Sequence, residues 1–348
     1  MKQKLKLKSS LVIEYLYLLT RISNKDLFQN HPIIQHYRQD SEVKETIEEI
    51  RKEISPFLKR DLDYFVLNFT GTVSIPLILS LENGYDSPIE MIDAIEAMDA
   101  QSWLQYYFTL NDQQVILAEC TDQELRTIIE EQIKPSWDFP NRDEEMVIEL
   151  RKYAEESKGQ IVQLYRNFYQ KHFKKREAML QNKLKKILEI HQRFLEDHPK
   201  EFMEEILWMK EEYYDQSEDI EFTVTWIGEL SHSVSIDKNK IMGVYGFGYL
   251  QRFDKEFIKM QTMKLFKVLS DERRLEILRM VGKKPRYATE LAKELALTKA
   301  TVSYHMNLII EQGLVTIRVE QNRVYYDLNT ERLNKQLLDV IKDLAGEE

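Results

Sequence analysis

One cysteine, Cys120, stands in a chain of 348 residues. It excludes an intrachain disulfide and any metal site built from several thiolates, and it suits a reducing compartment. The surrounding ILAECTDQEL has no basic residue, so Cys120 reads as a small buried hydrophobe rather than a reactive thiolate. Glycine is scarce at ten residues, and its one cluster, GVYGFG at Gly243 to Gly248, lacks the spacing of a phosphate loop or dinucleotide fingerprint. Close strand packing explains it better. The seven histidines are scattered without an HExxH pattern, so neither a metal site nor a bound cofactor is expected. No run reaches the roughly eighteen uncharged apolar residues of a membrane span. The amino terminus, MKQKLKLKSSLVIEYLYLLTR, places Glu14 inside its apolar part and shows no clear cleavage site. A cytoplasmic protein with no membrane partner is expected.

Positive charge is also in deficit, with 49 Lys and Arg against 59 Asp and Glu, a net charge of −10. The distribution matters more than the sum. Residues 261–330 hold 12 basic against 8 acidic side chains, whereas the first 260 hold 34 against 46. A basic module is therefore attached to an acidic body, and only the module need approach phosphates.

What the chain does have is a patterned stretch from Phe266 to Leu328. Leu265, Phe266, Leu269, Leu275, Ile277 and Leu278 mark an entry helix with a break near Ser270 and Asp271, where Ser270 can cap the second part. Pro285 ends that helix. A short helix follows from about Thr289 to Leu295, Ala296 and Leu297 turn the chain, and Thr298 caps a longer helix to about Gln312. Gly313 suits the left-handed position after a helix end. Val315, Ile317 and Val319 then alternate with polar residues, as do Val324 and Tyr326, with Gln321-Asn322 at a hairpin tip.

Helix, turn, helix and hairpin in this order describe a winged helix-turn-helix, which lays its second central helix in the DNA major groove. The segment closely resembles the DNA-binding domain of ArsR-type bacterial transcription regulators, through FKVLSDERRLEIL, ATELAKEL, TKATVSYHMNLI, EQGLV and NRVYYDLN. The resemblance covers roughly residues 260 to 344. It implies a homodimeric regulator, a repressor, that binds an inverted repeat in double-stranded DNA and dimerises through its first and last helices. Met263, Phe266 and Leu269 with Leu333, Leu337, Leu338 and Ile341 supply the apolar surface for that contact. Metal-sensing relatives place cysteines on the first central helix or carboxylates and histidines on the last one. RYATELAKEL and ERLNKQLLDVIKDL contain neither cysteine nor histidine, which speaks against metal sensing there.

At about 100° per residue, Val302, Met306 and Ile309 share one side of the long helix and form its buried stripe. Ala300, Tyr304 and Asn307 fall opposite, with Ser303 on the shoulder, and these four are the candidates for base contact. His305 lies beside the buried stripe and reads as packing within the fold. Thr298 and Lys299, at the positive helix end, are candidates for a phosphate, and Arg318 and Arg323 on the wing for the backbone or minor groove.

The rest of the chain reads as mainly helical. A sensing or assembly domain over residues 1–253 is expected, with a small antiparallel sheet in the region of about 220–250, followed by a winged-helix domain over 254–348. Lys4 to Lys8 alternates as a short strand could; Val43, Ile47 and Ile50 give a surface helix; Pro76, Asn83-Gly84 and Pro88 punctuate a loop; and Gln132 to Asn141 forms a connector. Seven basic residues between Lys171 and Lys186 read as a solvated helix face before a second DNA contact. Aromatics such as Trp103 and Trp226 read as core before a ligand pocket. An effector of unspecified chemistry is one reading for this domain; the alternatives are a purely oligomeric scaffold or an enzyme carrying a DNA-binding module.

Overall fold

The structure, a computed structural model, describes residues 5–23, 37, 39–67, 71–109, 120–128, 144–209, 219–237, 240–320 and 323–345. The connector expected at Gln132 to Asn141 lies outside these residues. The chain divides into two compact units, one built on residues before 24 and from 39 to 249, the other chiefly on residues from 250 onward.

In the first unit, β1 (Leu5–Ser9), β2 (Asp219–Thr225), β3 (His232–Asp237) and β4 (Lys240–Gly246) form one sheet in the order β1-β2-β4-β3. The sheet is mixed, which corrects the antiparallel sheet expected: β1 pairs with β2 and β2 with β4 in parallel, and only β3 and β4 run antiparallel. Alternation identifies the strands but cannot say that β4 inserts between β2 and its own hairpin partner. The buried positions agree, since Ile220, Phe222, Thr223, Val224 and Thr225 are all buried, as strands covered on both faces require. The glycines of β4 follow from this crowding. A Cβ at Gly243 would meet the Phe222 ring and the Ser233 carbonyl, and one at Gly246 the backbone of Glu229.

Helix α1 (Leu11–Ser23) is buried nearly all round, with Val12, Ile13, Tyr15, Leu16, Leu18 and Leu19 at 1% exposure or less. Helix α2 (Ser41–Glu53) starts at Asp40, whose carboxylate accepts from the amides of Glu42 and Val43, and buries the expected Val43, Ile47 and Ile50. Helix α3 (Gly71–Asn83) is a correction, because Pro76 lies inside it and not in a loop. Proline removes the donor that would meet the carbonyl four residues back, that of Thr72. The Tyr165 hydroxyl donates to that carbonyl instead, and the Tyr15 hydroxyl in turn donates to the Tyr165 carbonyl at 2.9 Å. Both tyrosines are fully buried, so the replacement bond is made where water cannot supply one.

Tyr165 belongs to helix α4 (Ala154–Phe168), and helix α5 (Glu177–Asp197) follows after a turn of wider and then tighter helix. The basic run across this region is partly spoken for. Lys175 pairs with Glu53 at 2.7 Å, Arg176 with Glu49 and Glu53 at 3.5 Å, and Lys183 with Glu42 at 2.7 Å, all on α2. Cys120 is half-buried rather than buried; its carbonyl accepts from the Arg151 guanidinium at 2.7 Å, and that contact holds the local chain without needing its thiol in the core.

The loop from Trp226 to Ser231, after β2, gathers buried charge. Glu14 accepts from the amides of Trp226 and Ile227, each at 2.8 Å, and Glu229 accepts from Arg21 and from the Asp40 amide, also at 2.8 Å. Burial pushes the Glu14 carboxyl up to about 7 against the pull of Ile227, Thr225 and Trp226. On α5, burial holds His191 down to about 3 while its Nδ1 lies 3.1 Å from the Tyr245 hydroxyl.

The second unit runs α6 (Lys255–Leu269), α7 (Glu272–Lys283), β5 (Arg286–Tyr287), α8 (Ala288–Glu294), α9 (Lys299–Glu311), β6 (Val315–Glu320), β7 (Arg323–Leu328) and α10 (Thr330–Ala345). The break between α6 and α7 is capped by Asp271, whose carboxylate accepts from the Arg274 amide at 3.0 Å, and not by Ser270. The Ser270 hydroxyl donates to the Lys267 carbonyl, so it closes the preceding helix instead. Ala296 takes a φ of 53° in the turn before α9, Thr298 caps α9 through the Thr301 amide at 3.1 Å, and Gly313 takes a φ of 66° after it. Only two residues long, β5 has no periodicity to betray it, yet it pairs with Tyr325 and Tyr326 and makes the wing a three-stranded sheet in the order β5-β7-β6.

Candidate DNA interface

Helices α7, α8 and α9 close over one core containing Ile277, Leu278, Val281, Leu291, Val302, Met306, Ile309 and Leu314. Val302, Met306 and Ile309 have 0%, 1% and 0% exposure, so the side of α9 that faces inward is fixed by its apolar stripe. Ala300, Ser303, Tyr304 and Asn307 are exposed on the outward side, Tyr304 at 62%. Thr298 and Lys299 are exposed at the amino end of α9, where the helix dipole favours an anion. A tyrosine left this open on a folded helix keeps both a ring face and a hydroxyl for a partner.

The wing places Arg318 on the exposed part of β6 and Arg323 at the start of β7, paired through the backbone with Glu320. The Arg323 side chain and the tip at Gln321 and Asn322 lie outside the described residues. The wing does not bury all its alternating apolar residues, since Ile317 is 51% and Val324 42% exposed. Alternation therefore locates the strands and misreads how much of this thin sheet has anything to cover it. Sequence reasoning also misses Asp271 as a neighbour of α9. The Asp271 carboxylate lies 3.8 Å from Nδ1 of His305, and only the packing of α7 against α9 brings them together.

A second exposed surface is apolar. Met263 and Phe266 of α6 are 65% and 45% exposed, and Leu337, Leu338, Ile341 and Leu344 of α10 are 37%, 58%, 58% and 74% exposed. Leu269 and Leu333 instead pack against the core.

Among the described residues, no helix is long and apolar enough to cross a membrane. A helix-turn-helix domain family matches residues 269–318. The arsenical resistance operon repressor of Staphylococcus xylosus is 38% identical over 79 residues, which is 22% of this chain and 76% of that protein. The transcriptional activator HlyU of Vibrio cholerae is 30% identical over 95 residues, covering 27% of this chain and 85% of its own. A solved structure of an ArsR-like transcriptional regulator from Rhodococcus sp. RHA1 shares 27% identity over 25% of this chain and 83% of that one, with a TM-score of 0.24. Each relative covers about a quarter of this chain, and the family match falls on the helices and the first wing strand just described. Through that C-terminal unit the chain belongs to the ArsR-type family of winged helix-turn-helix transcription regulators.

Proposed function

We propose that this regulator is a repressor that binds an inverted repeat in double-stranded DNA as a homodimer, with Ala300, Ser303, Tyr304 and Asn307 on the bases. Thr298, Lys299, Arg318 and Arg323 hold the sugar-phosphate backbone. The observation that carries this reading is the polarity of α9, buried on the Val302 side and open on the Tyr304 side. The basic excess of residues 261–330 within an acidic chain supports it. The N-terminal unit would supply the regulatory input in the cytoplasm, either an effector site or an assembly surface. A small molecule that raises the melting temperature of the unit's transition identifies the first, and concentration-dependent assembly alone the second.

The dimer rests on the apolar face of α6 and α10, too exposed to be left to water in a domain this thin. Replacing Leu338 and Ile341 together by Asp should leave the full chain folded and remove dimers formed through this face. Light scattering coupled to size exclusion would read it; an unchanged mass would move the dimer contact elsewhere. The wing gives a separate test. Arg323→Ala should weaken binding to all sequences alike and flatten the slope of log affinity against log salt by about one unit. An unchanged slope would take the wing off the DNA.

A further inference from the structure

The recognition helix carries an imidazole that base and phosphate contacts leave unused. His305 is 12% exposed at its side chain, and its Nδ1 is buried without a hydrogen-bond partner, 3.8 Å from the Asp271 carboxylate. That distance is too long for a hydrogen bond and short enough for one to form with a small closing movement. Asp271 is already fixed at the start of α7, where it accepts from the Arg274 amide. This amide, followed by the charges of Arg274 and His305, holds the Asp271 carboxyl below the usual carboxylate range, so it remains an anion wherever histidine titrates. The Arg274 guanidinium stands 3.7 Å from the other Asp271 oxygen and donates to the Lys267 carbonyl at 2.8 Å, which ties the end of α6 into the same cluster. On its own helix, His305 meets the ring of Tyr304 edge to face at a centroid distance of 5.4 Å.

We propose that His305 is a positioning residue for DNA recognition: protonated at Nδ1, it closes onto Asp271 and locks α9, with Tyr304, against the start of α7. The proposal rests on the reading of α9 as the helix that meets the bases. Among the described residues, the titratable groups that meet the imidazole are Asp271 from α7 and Tyr304 from α9, and Arg274 of α7 stands at the other Asp271 oxygen. The Arg274 charge opposes an imidazolium and the Asp271 charge, 3.8 Å from Nδ1, favours it. Bound phosphates add a negative field in the same direction. DNA binding then takes up a proton, and by linkage the affinity falls as pH rises.

The test uses the full chain and a duplex enriched from a random pool by the chain itself, with affinity measured at constant ionic strength near pH 6 and near pH 8. One linked proton changes affinity by at most about tenfold per pH unit, so a fall of about fivefold to tenfold is expected for the wild type. His305→Asn and Asp271→Asn should each reduce this to less than about twofold, and asparagine at 271 keeps the cap while losing the charge. Both variants should match the wild type near pH 8 and fall short of it near pH 6, a pattern that a merely structural loss would not produce. Equal slopes in all three proteins overturn the role of His305 while leaving DNA binding intact. Failure of the wild type to enrich any duplex overturns the DNA-binding reading, and this role with it.

Discussion

Tyr304→Ala and Ser303→Ala should each cost on the order of 1–3 kcal/mol at the cognate site and leave nonspecific binding nearly unchanged, since a base contact discriminates among sequences and a phosphate contact does not. Val302→Ala should do the opposite. Its side chain is fully buried among Ile277, Leu291 and Met306 in the core of the unit, and truncating it removes burial and leaves a cavity worth roughly 1–3 kcal/mol of stability. The pair of experiments is informative because the residues are close neighbours on opposite sides of one helix. Competition binding against a scrambled duplex and a thermal melt of each variant separate them. Should Tyr304→Ala unfold the unit while Val302→Ala only relaxes sequence preference, α9 is rotated from this assignment and the proposed contacts fall together.

The rotation of α9 is legible in the sequence because three apolar residues at positions 302, 306 and 309 leave a helix one way to face inward. Thr298 and Gly313 are legible for a related reason, as each is chemically suited to a helix end. The features that escape are those set by partners distant in the chain. Pro76 looks like loop punctuation because the tyrosine that satisfies the carbonyl it abandons lies nearly ninety positions away. The sheet of the first unit looks antiparallel because β1 and β2, which pair side by side, are separated by some two hundred residues. The same is true of His305. Its place one step off the buried stripe is readable, but the carboxylate it faces comes from the cap of another helix. For the N-terminal unit, the buried groups Glu14, Arg21, Glu229 and His191 form no local motif at all, and their chemistry emerges only from packing.

That buried chemistry carries the largest expected effect. Glu14 titrates at about 7 in the folded unit against 4.5 for an ordinary glutamate, and His191 at about 3 against 6.5 for an ordinary histidine. The raised carboxyl favours the folded state below about pH 4.5, and this stabilisation, on the order of 3 kcal/mol, is lost as pH rises through 7. The depressed imidazole works in the reverse sense. Its contribution, on the order of 5 kcal/mol, is complete above about pH 6.5 and is lost as pH falls toward 3. Between about pH 4.5 and 6.5 the two slopes have opposite signs and cancel, so together they add almost no pH dependence to the wild-type unit there. Replacing either group uncovers the other. Glu14→Gln should leave stability rising with pH across this interval, and His191→Gln, which keeps an acceptor for the Tyr245 hydroxyl, should leave it falling. All four tryptophans, at 103, 137, 208 and 226, precede residue 250, so their fluorescence during urea unfolding of the full chain reports this unit without the other. A flat profile in Glu14→Gln would mean that His191 is protonated as readily in the folded unit as in the unfolded chain. A flat profile in His191→Gln would mean that the two amides of Trp226 and Ile227 hold Glu14 ionised despite its complete burial.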